Sequence, residues 1–256
     1  DQLEGIGRAA IAHAAVQSGE QVLDVGCGCG HTSQDLATAV GSQGRVLGTD
    51  ISEPMLNLAR ERSGNISHLD FVCGDAQTHA FEAAAFDLLF SRFGVMFFAD
   101  PAAAFANLRR ALRPGGRCVF ACWQEIGQNP WMAIPGAAAM QHLERAAPPD
   151  PSAPGPFAFA DQERVHGLLE QAGFNNVVHE AYPCSIAVGR GLAREELLDF
   201  LVQMGPAGAA MREAEPEVQK RIQASVAEAV APYLRDREGM VMDAAVWFVS
   251  AENLAD

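Results

Sequence analysis

The sequence predicts an α/β chain, a mostly parallel doubly wound sheet with helices on both faces. Three observations carry this. Short apolar runs alternate with helix-period segments from about residue 20 to 123, the order that lays strands parallel beneath crossover helices. The first run leads directly into a glycine-rich turn, Val25-Gly26-Cys27-Gly28-Cys29-Gly30. At 256 residues and 49% hydrophobic, the chain is long enough for one large core with insertions.

An amphipathic helix is expected over 3–18, then a strand at 21–25, the glycine turn and a helix over 31–40. The second strand is 45–50. Ser52 offers an N-cap with Pro54 in the first turn, and Met55, Leu56, Leu58 and Ala59 supply the apolar face of the helix that follows. Strands at 69–73 and 86–91 come next. Asp100-Pro101 opens a helix through Leu112, which Arg113-Pro114-Gly115-Gly116 stops before a strand at 118–123. Beyond that the rhythm changes: a helix over 130–145, then the proline-rich stretch 147–156, which reads as an extended loop. Asp161 caps a helix to Ala172, 176–182 is a strand, 193–235 is helical, and 244–250 is a closing strand.

The glycine turn and Asp50, about 20 residues beyond Gly30 at the end of the second strand, carry chemistry together. Glycines let the backbone approach a ligand closely. An acid at the tip of the neighbouring strand can accept hydrogen bonds from both hydroxyls of a ribose. Such a pair binds an adenosine-containing cofactor. A dinucleotide fingerprint places its third glycine where this chain has His31, which disfavours a NAD-linked oxidoreductase. The chain instead alternates Asp24, Gly26, Gly28, Gly30.

Composition narrows the partners. With 18 basic against 32 acidic residues and a net charge of −14, a phosphate-backbone partner is disfavoured, so nucleic acid is not the expected substrate. The cluster Arg109, Arg110, Arg113 and Arg117 reads as a solvated helix end. Six cysteines without a C-x-x-C pair point to reduced thiols, a cytoplasmic location and no metal site. No stretch is long and apolar enough for a membrane span. The chain begins at Asp1 without methionine, which leaves a removed leader open, and the sequence sets no oligomeric state.

Taken in order, these motifs resemble the class I S-adenosylmethionine (SAM) dependent methyltransferases, nearest the small-molecule, ubiquinone/menaquinone-biosynthesis-like "type 11" group. Asp24, Gly26, Gly28 and Gly30 match the family's first motif, which wraps the methionine half of SAM. Asp50 matches the ribose acid and Ile51 the apolar residue that packs on adenine. Cys73-Gly74-Asp75-Ala76 matches the third motif, whose acid receives the adenine amino group. Ser91-Arg92-Phe93 follows the fourth strand, where the family places residues facing the transferred methyl, and Leu112-Arg113-Pro114-Gly115-Gly116 matches its turn before strand five.

The resemblance implies a Rossmann-like, seven-stranded sheet in the order 3-2-1-4-5-7-6, with only the last strand antiparallel. It also implies one domain over 1–256, with helical lid insertions at about 124–160 and 190–238. The implied cofactor is SAM, leaving as S-adenosylhomocysteine (SAH), and the implied activity is methyl transfer to a small, apolar or aromatic acceptor. The identity of the acceptor, the methylated atom (O, N or C) and any general base are left open. A SAM-binding regulator without catalysis is the other reading, because every recognisable motif concerns the cofactor. The expected cofactor residues are Asp24, Gly26, Gly28, Gly30, Asp50, Ile51, Asp75, Ala76 and Ser91. Arg92, Trp123 and Trp131 are expected at the acceptor, and Arg92 and His31 are the candidates for a catalytic role. His31 could equally pack at its helix N-terminus or meet the SAM carboxylate.

Overall fold

A computed structural model describes residues 2–143, 150, 152–203, 208, 211–212 and 214–254. The chain forms two compact units. The first comprises residues 4–123, 151–182 and 246–256; the second comprises 1–3, 124–150 and 183–245.

The first unit carries the sheet. Its strands are β1 (Gln21–Val25), β2 (Arg45–Asp50), β3 (Leu69–Cys73), β4 (Phe86–Arg92) and β5 (Leu112–Trp123), together with most of β6 (Asn175–Val188) and β8 (Gly239–Asn253). The short β7 (Leu234–Arg235) pairs antiparallel with β8. The order is β3-β2-β1-β4-β5-β8-β6. Pairs β1–β2, β1–β4, β2–β3 and β4–β5 are parallel, and β8 runs antiparallel along β5 from Gly116 to Trp123. With the two-residue β7 set aside, this is the expected order, β8 being the closing strand. In β1, Val22, Leu23, Asp24 and Val25 are buried in succession, so both faces of the central strand are covered.

The helices of this unit are α1 (Glu4–His13), α2 (His31–Val40), α3 (Glu53–Ser63), α4 (Pro101–Ala111) and α6 (Gln162–Gln171). Two caps form as expected. Asp100 Oδ1 accepts from the Ala103 N–H at 3.0 Å, and Asp161 Oδ1 accepts from Glu163 and Arg164. Ser52 makes no side-chain cap; its own N–H donates to Asp50 instead. Helix α1 stops five residues early, because the chain turns at Ala15 with φ 49° and at Gly19. The expected Arg113–Gly116 turn is absorbed into β5, whose register against β4 shifts between Phe86 and Leu88.

The core is aromatic where α4 meets β5. Phe105 lies 5.8 Å from Phe120, 5.9 Å from Phe159 and 6.4 Å from Phe174, centroid to centroid. The arginines read as a solvated cluster are engaged. Arg117 is bidentate on Glu20 at 2.7 and 2.9 Å, Arg113 reaches Asp87 at 2.7 Å, and Arg110 donates to Asn107.

The second unit is helical: α5 (Pro130–Met140), α7 (Arg194–Gln203) and α8 (Pro216–Val230) pack on one another through Trp131, Ala138, Leu197, Leu201, Ile222 and Val226. At its root Asn129 is fully buried and saturated. Its Nδ2 donates to the carbonyls of Gln124, Glu125 and Ala245, while Oδ1 accepts from the Ala245 N–H and the Trp131 indole. Residues 152–160 belong to the unit that carries the sheet, and 183–189 to the helical one. Of the expected proline-rich loop, 147–149 and 151 lie outside the described residues, as do 204–207, 209–210 and 213 of the expected helical stretch.

Candidate active site

The site begins at the turn between β1 and α2. Gly26, Gly28 and Gly30 all have positive φ, at 69°, 55° and 78°. Each is small for a different reason. A Cβ on Gly26 would sit 2.6 Å from Gly94 Cα, and one on Gly30 would sit 2.9 Å from Ala59 Cβ. A Cβ on Gly28 would meet only Met55 Cε, at 3.0 Å, the far end of a flexible side chain. Gly30 therefore lets α2 pack on α3, while Gly26 and Gly28 keep the floor of a cavity bare.

That cavity, about 490 Å³, lies at the carboxyl ends of β1, β2 and β4, where open parallel sheets bind ligands. Asp50 sits at its centre. Its Oδ2 accepts from the Gly28 N–H at 2.9 Å and its Oδ1 from the Ser52 N–H at 2.9 Å. Each carboxylate oxygen keeps a free lone pair in a residue that lines the cavity, which suits a vicinal diol. Ile51, Met55 and Phe97 border the same space and are 75%, 42% and 55% exposed. Large apolar side chains held open around a cavity form a platform for a flat ring. Asp75 and Ala76 line the far end, where Asp75 accepts from the Gln77 backbone and side chain at 2.9 and 3.1 Å.

Asp24 stands just behind the turn. It is fully buried, and its Oδ2 accepts from Thr32 Oγ1 at 2.8 Å and Ser33 Oγ at 2.6 Å, pinning the first turn of α2. Burial pushes its carboxyl up to about 6, against the pull of these hydroxyls and of Arg92. Its Oδ1 has no hydrogen-bond partner among the described residues.

The other expected residues separate from the cavity. Ser91 is buried and structural, donating to the Val25 carbonyl at 2.7 Å and accepting from the Gly94 N–H at 3.2 Å. Arg92 is largely buried against Gly7 of α1, where its charge faces Asp24 and Asp35; burial lowers its guanidinium below the usual value. His31 heads α2 and its Nε2 meets Arg62 Nη1 at 3.1 Å, so the ring nitrogen accepts. Partial burial with Arg62 and Arg92 nearby lowers its affinity for a proton. Trp123 lies one layer behind the wall, stacked on Phe93 with centroids 4.2 Å apart and planes 11° apart. Trp131 belongs to α5, with its indole N–H on Asn129 at 3.1 Å.

Sequence reasoning missed Thr49, Met55, Gly94, Phe97 and Phe98, which line the cavity beside Phe93, the residue at the end of the segment expected to face the methyl. Met55 was assigned to the core by helical period, and the Phe93–Phe98 run gave no periodic cue. The signal available for Gly94 was its position in a bulky apolar run, Phe93-Gly94-Val95-Met96-Phe97.

A bare glycine floor, a carboxylate with two open lone pairs, an apolar platform and a second acid define a nucleoside cofactor site on a methyltransferase-type sheet. Residues 23–120 match the family described as "Methyltransferase domain". A demethylmenaquinone methyltransferase of Staphylococcus carnosus is 31% identical over 183 residues, covering 67% of this chain and 75% of its own. The fold is that of the YcgJ protein of Bacillus subtilis, with a TM-score of 0.63, 15% identity and 98% of each chain covered. Phosphoethanolamine N-methyltransferase 2 of Haemonchus contortus, solved in complex with SAM, shares the fold at TM-score 0.58 and 17% identity, over 98% of this chain and 53% of its own. The chain belongs to the class I, type 11 methyltransferases and is a SAM-dependent enzyme.

The residues present fit that cofactor. Asp50 offers acceptors for the ribose, Ile51 and Met55 an apolar face for adenine, and Asp75 an acceptor at that end. Gly26 and Gly28 leave the floor free of side chains for the methionine half.

Proposed function

We propose that this enzyme methylates a small, largely apolar or aromatic acceptor. The carrying observation is the part of the cavity lining that the cofactor fit leaves unused: Val25, Phe93, Phe97, Phe98 and Ala99 are apolar, and among the described lining residues only Asp50 and Asp75 are charged. Bound SAM supplies an electrophilic methyl on a sulfonium, which leaves by in-line displacement. The protein's task is then to position and to exclude water. Asp50 fixes the ribose end through a carboxylate that two backbone N–H groups already hold in place. Phe93 and Gly94, locked through Ser91 and the Ala121 carbonyl, form a rigid wall beside the glycine turn.

The relatives' name supports an acceptor of this class, since theirs is demethylmenaquinone. The net charge of −14 argues against a polyanion, and six free thiols accord with a cytoplasmic enzyme. A neutral amine would need no base; a hydroxyl would, and Asp50 and Asp75 are both committed to backbone donors. Trp131, buried in α5 with its indole on Asn129, is not assigned to the acceptor. Trp123 acts through Phe93, while Arg92, packed on Gly7 of α1, stands away from the cavity and is not assigned to the acceptor.

The test is a turnover screen with methyl-labelled SAM against quinols, phenols, aromatic amines and aliphatic amines, with bulk tRNA and protein as controls. Label on an aromatic small molecule is expected. Label on tRNA or protein alone would overturn the proposal.

A further inference from the structure

Phe93 adopts an unusual backbone. Its φ is 62°, a left-handed conformation that bulky side chains rarely enter and that is strained. Everything around it enforces that geometry. The Phe93 N–H donates to the Ala121 carbonyl at 3.0 Å, and the next residue, Gly94, leaves no space for a Cβ, which would meet the Val25 carbonyl at 2.6 Å. Phe93 is 8% exposed and lines the cavity, and its ring is backed in near-parallel stacking by the buried Trp123. Gly94 packs on Gly26, so the Phe93–Gly94 backbone borders the glycine turn. The sulfur of the cofactor belongs between the ribose that Asp50 holds and the methionine half over that turn. No basic side chain lines this space among the described residues. An aromatic ring backed by a second one offers a cation its negative face in a desolvated setting, where such contacts are strongest.

We infer that Phe93, held in its strained conformation and backed by Trp123, is a positioning residue that recognises the positive charge of the sulfonium, so that the site favours charged SAM over its neutral product SAH. The inference rests on SAM occupying this cavity. The reaction removes the charge, and with it the attraction, which helps the product leave.

The test is calorimetric titration of the wild-type enzyme and of Phe93→Tyr, Phe93→Leu and Phe93→Asn with SAM and, separately, with SAH. Asn tolerates the left-handed backbone and so separates loss of the ring from loss of the fold. For Phe93→Leu and Phe93→Asn, SAM affinity is expected to fall about 5- to 30-fold while SAH affinity stays within about 2-fold. Phe93→Tyr should retain the wild-type ratio. Equal losses for both ligands, or unchanged SAM affinity, would overturn the inference by reducing the ring to a wall. Failure of wild-type enzyme to bind either ligand would instead overturn the assignment of the cavity to SAM.

Discussion

Replacing Asp50 by Ala removes the acceptor on which the site is built. Two losses follow. First, the Gly28 and Ser52 N–H groups lose charged partners at 2.9 Å each. Both donors border an open cavity, so water replaces part of the loss. A stability cost of about 1–2 kcal/mol, or roughly 3–6 °C in melting temperature, is expected. Second, the two ribose hydroxyls lose a charged acceptor. Hydrogen bonds to charged groups contribute about 1.5–3 kcal/mol, and part of that is offset by hydration, so SAH binding should weaken by about 2–3 kcal/mol, roughly 30- to 150-fold. Asp50→Asn retains one acceptor oxygen without the charge and should fall between the two. Calorimetry with SAH gives the affinity, and a thermal melt in parallel confirms a folded variant. A folded Asp50→Ala enzyme that binds SAH like wild type would refute the reasoning.

Gly94→Ala places a methyl 2.6 Å from the Val25 carbonyl oxygen and 2.8 Å from Gly26 Cα, both backbone atoms. It should cost at least 2 kcal/mol or so, read by urea denaturation, and abolish measurable SAH binding; a neutral result would mean that the two loops are not held together. Burial raises the Asp24 carboxyl in the folded state to about 6, against its ordinary value of 3.8. The native state therefore binds the extra proton, and the stability this confers is complete below about pH 4 and is lost, on the order of 3 kcal/mol, as pH rises through 6. Asp24→Asn should flatten that slope in pH-dependent denaturation; an unchanged slope would show that another group sets it. Asn129→Ala removes a fully buried amide that accepts from the Ala245 N–H and the Trp131 indole and donates to three carbonyls, two of which (Glu125 and Ala245) keep a backbone donor, so a loss of about 2–4 kcal/mol is expected. Hydrogen exchange should show the Ala245 amide opening much faster, and retained protection there would count against a structural role.

Much of the fold was legible because two periodicities alternate along the first half of the chain. Strands β1, β2 and β3 and helix α2 begin and end where the apolar runs and glycines place them. The errors have local causes. Ser52 stands at the N-cap position of α3, but its hydroxyl makes no cap hydrogen bond, which the residue type alone does not reveal. Pro114-Gly115-Gly116 reads as a stop, yet pairing with β8 from Gly116 onward draws the segment into β5. The two-residue β7 exists through its partner β8, and two residues carry no periodicity of their own.

At the site, residues whose role depends on backbone conformation were legible: Gly26, Gly28, Asp50, Ile51, Asp75 and Ala76 all line one cavity. Residues whose role depends on where a side chain turns were not. Arg92 and Phe93 are adjacent, and one packs on α1 while the other lines the cavity; strand alternation sends neighbours opposite ways but does not say which of the two meets the ligand space. Ser91 and Trp123 stand at the expected strand ends but spend their contacts on Val25, Gly94 and Phe93.

The central claim, that Asp50 and the bare floor beside Gly28 hold the cofactor, is tested most directly by a crystal structure of the enzyme with SAH. The account predicts both ribose hydroxyls at about 3 Å from the Asp50 carboxylate, with adenine against Ile51 and the thioether beside Phe93. SAH bound elsewhere, or in this cavity with Asp50 turned away from the ribose, would contradict it.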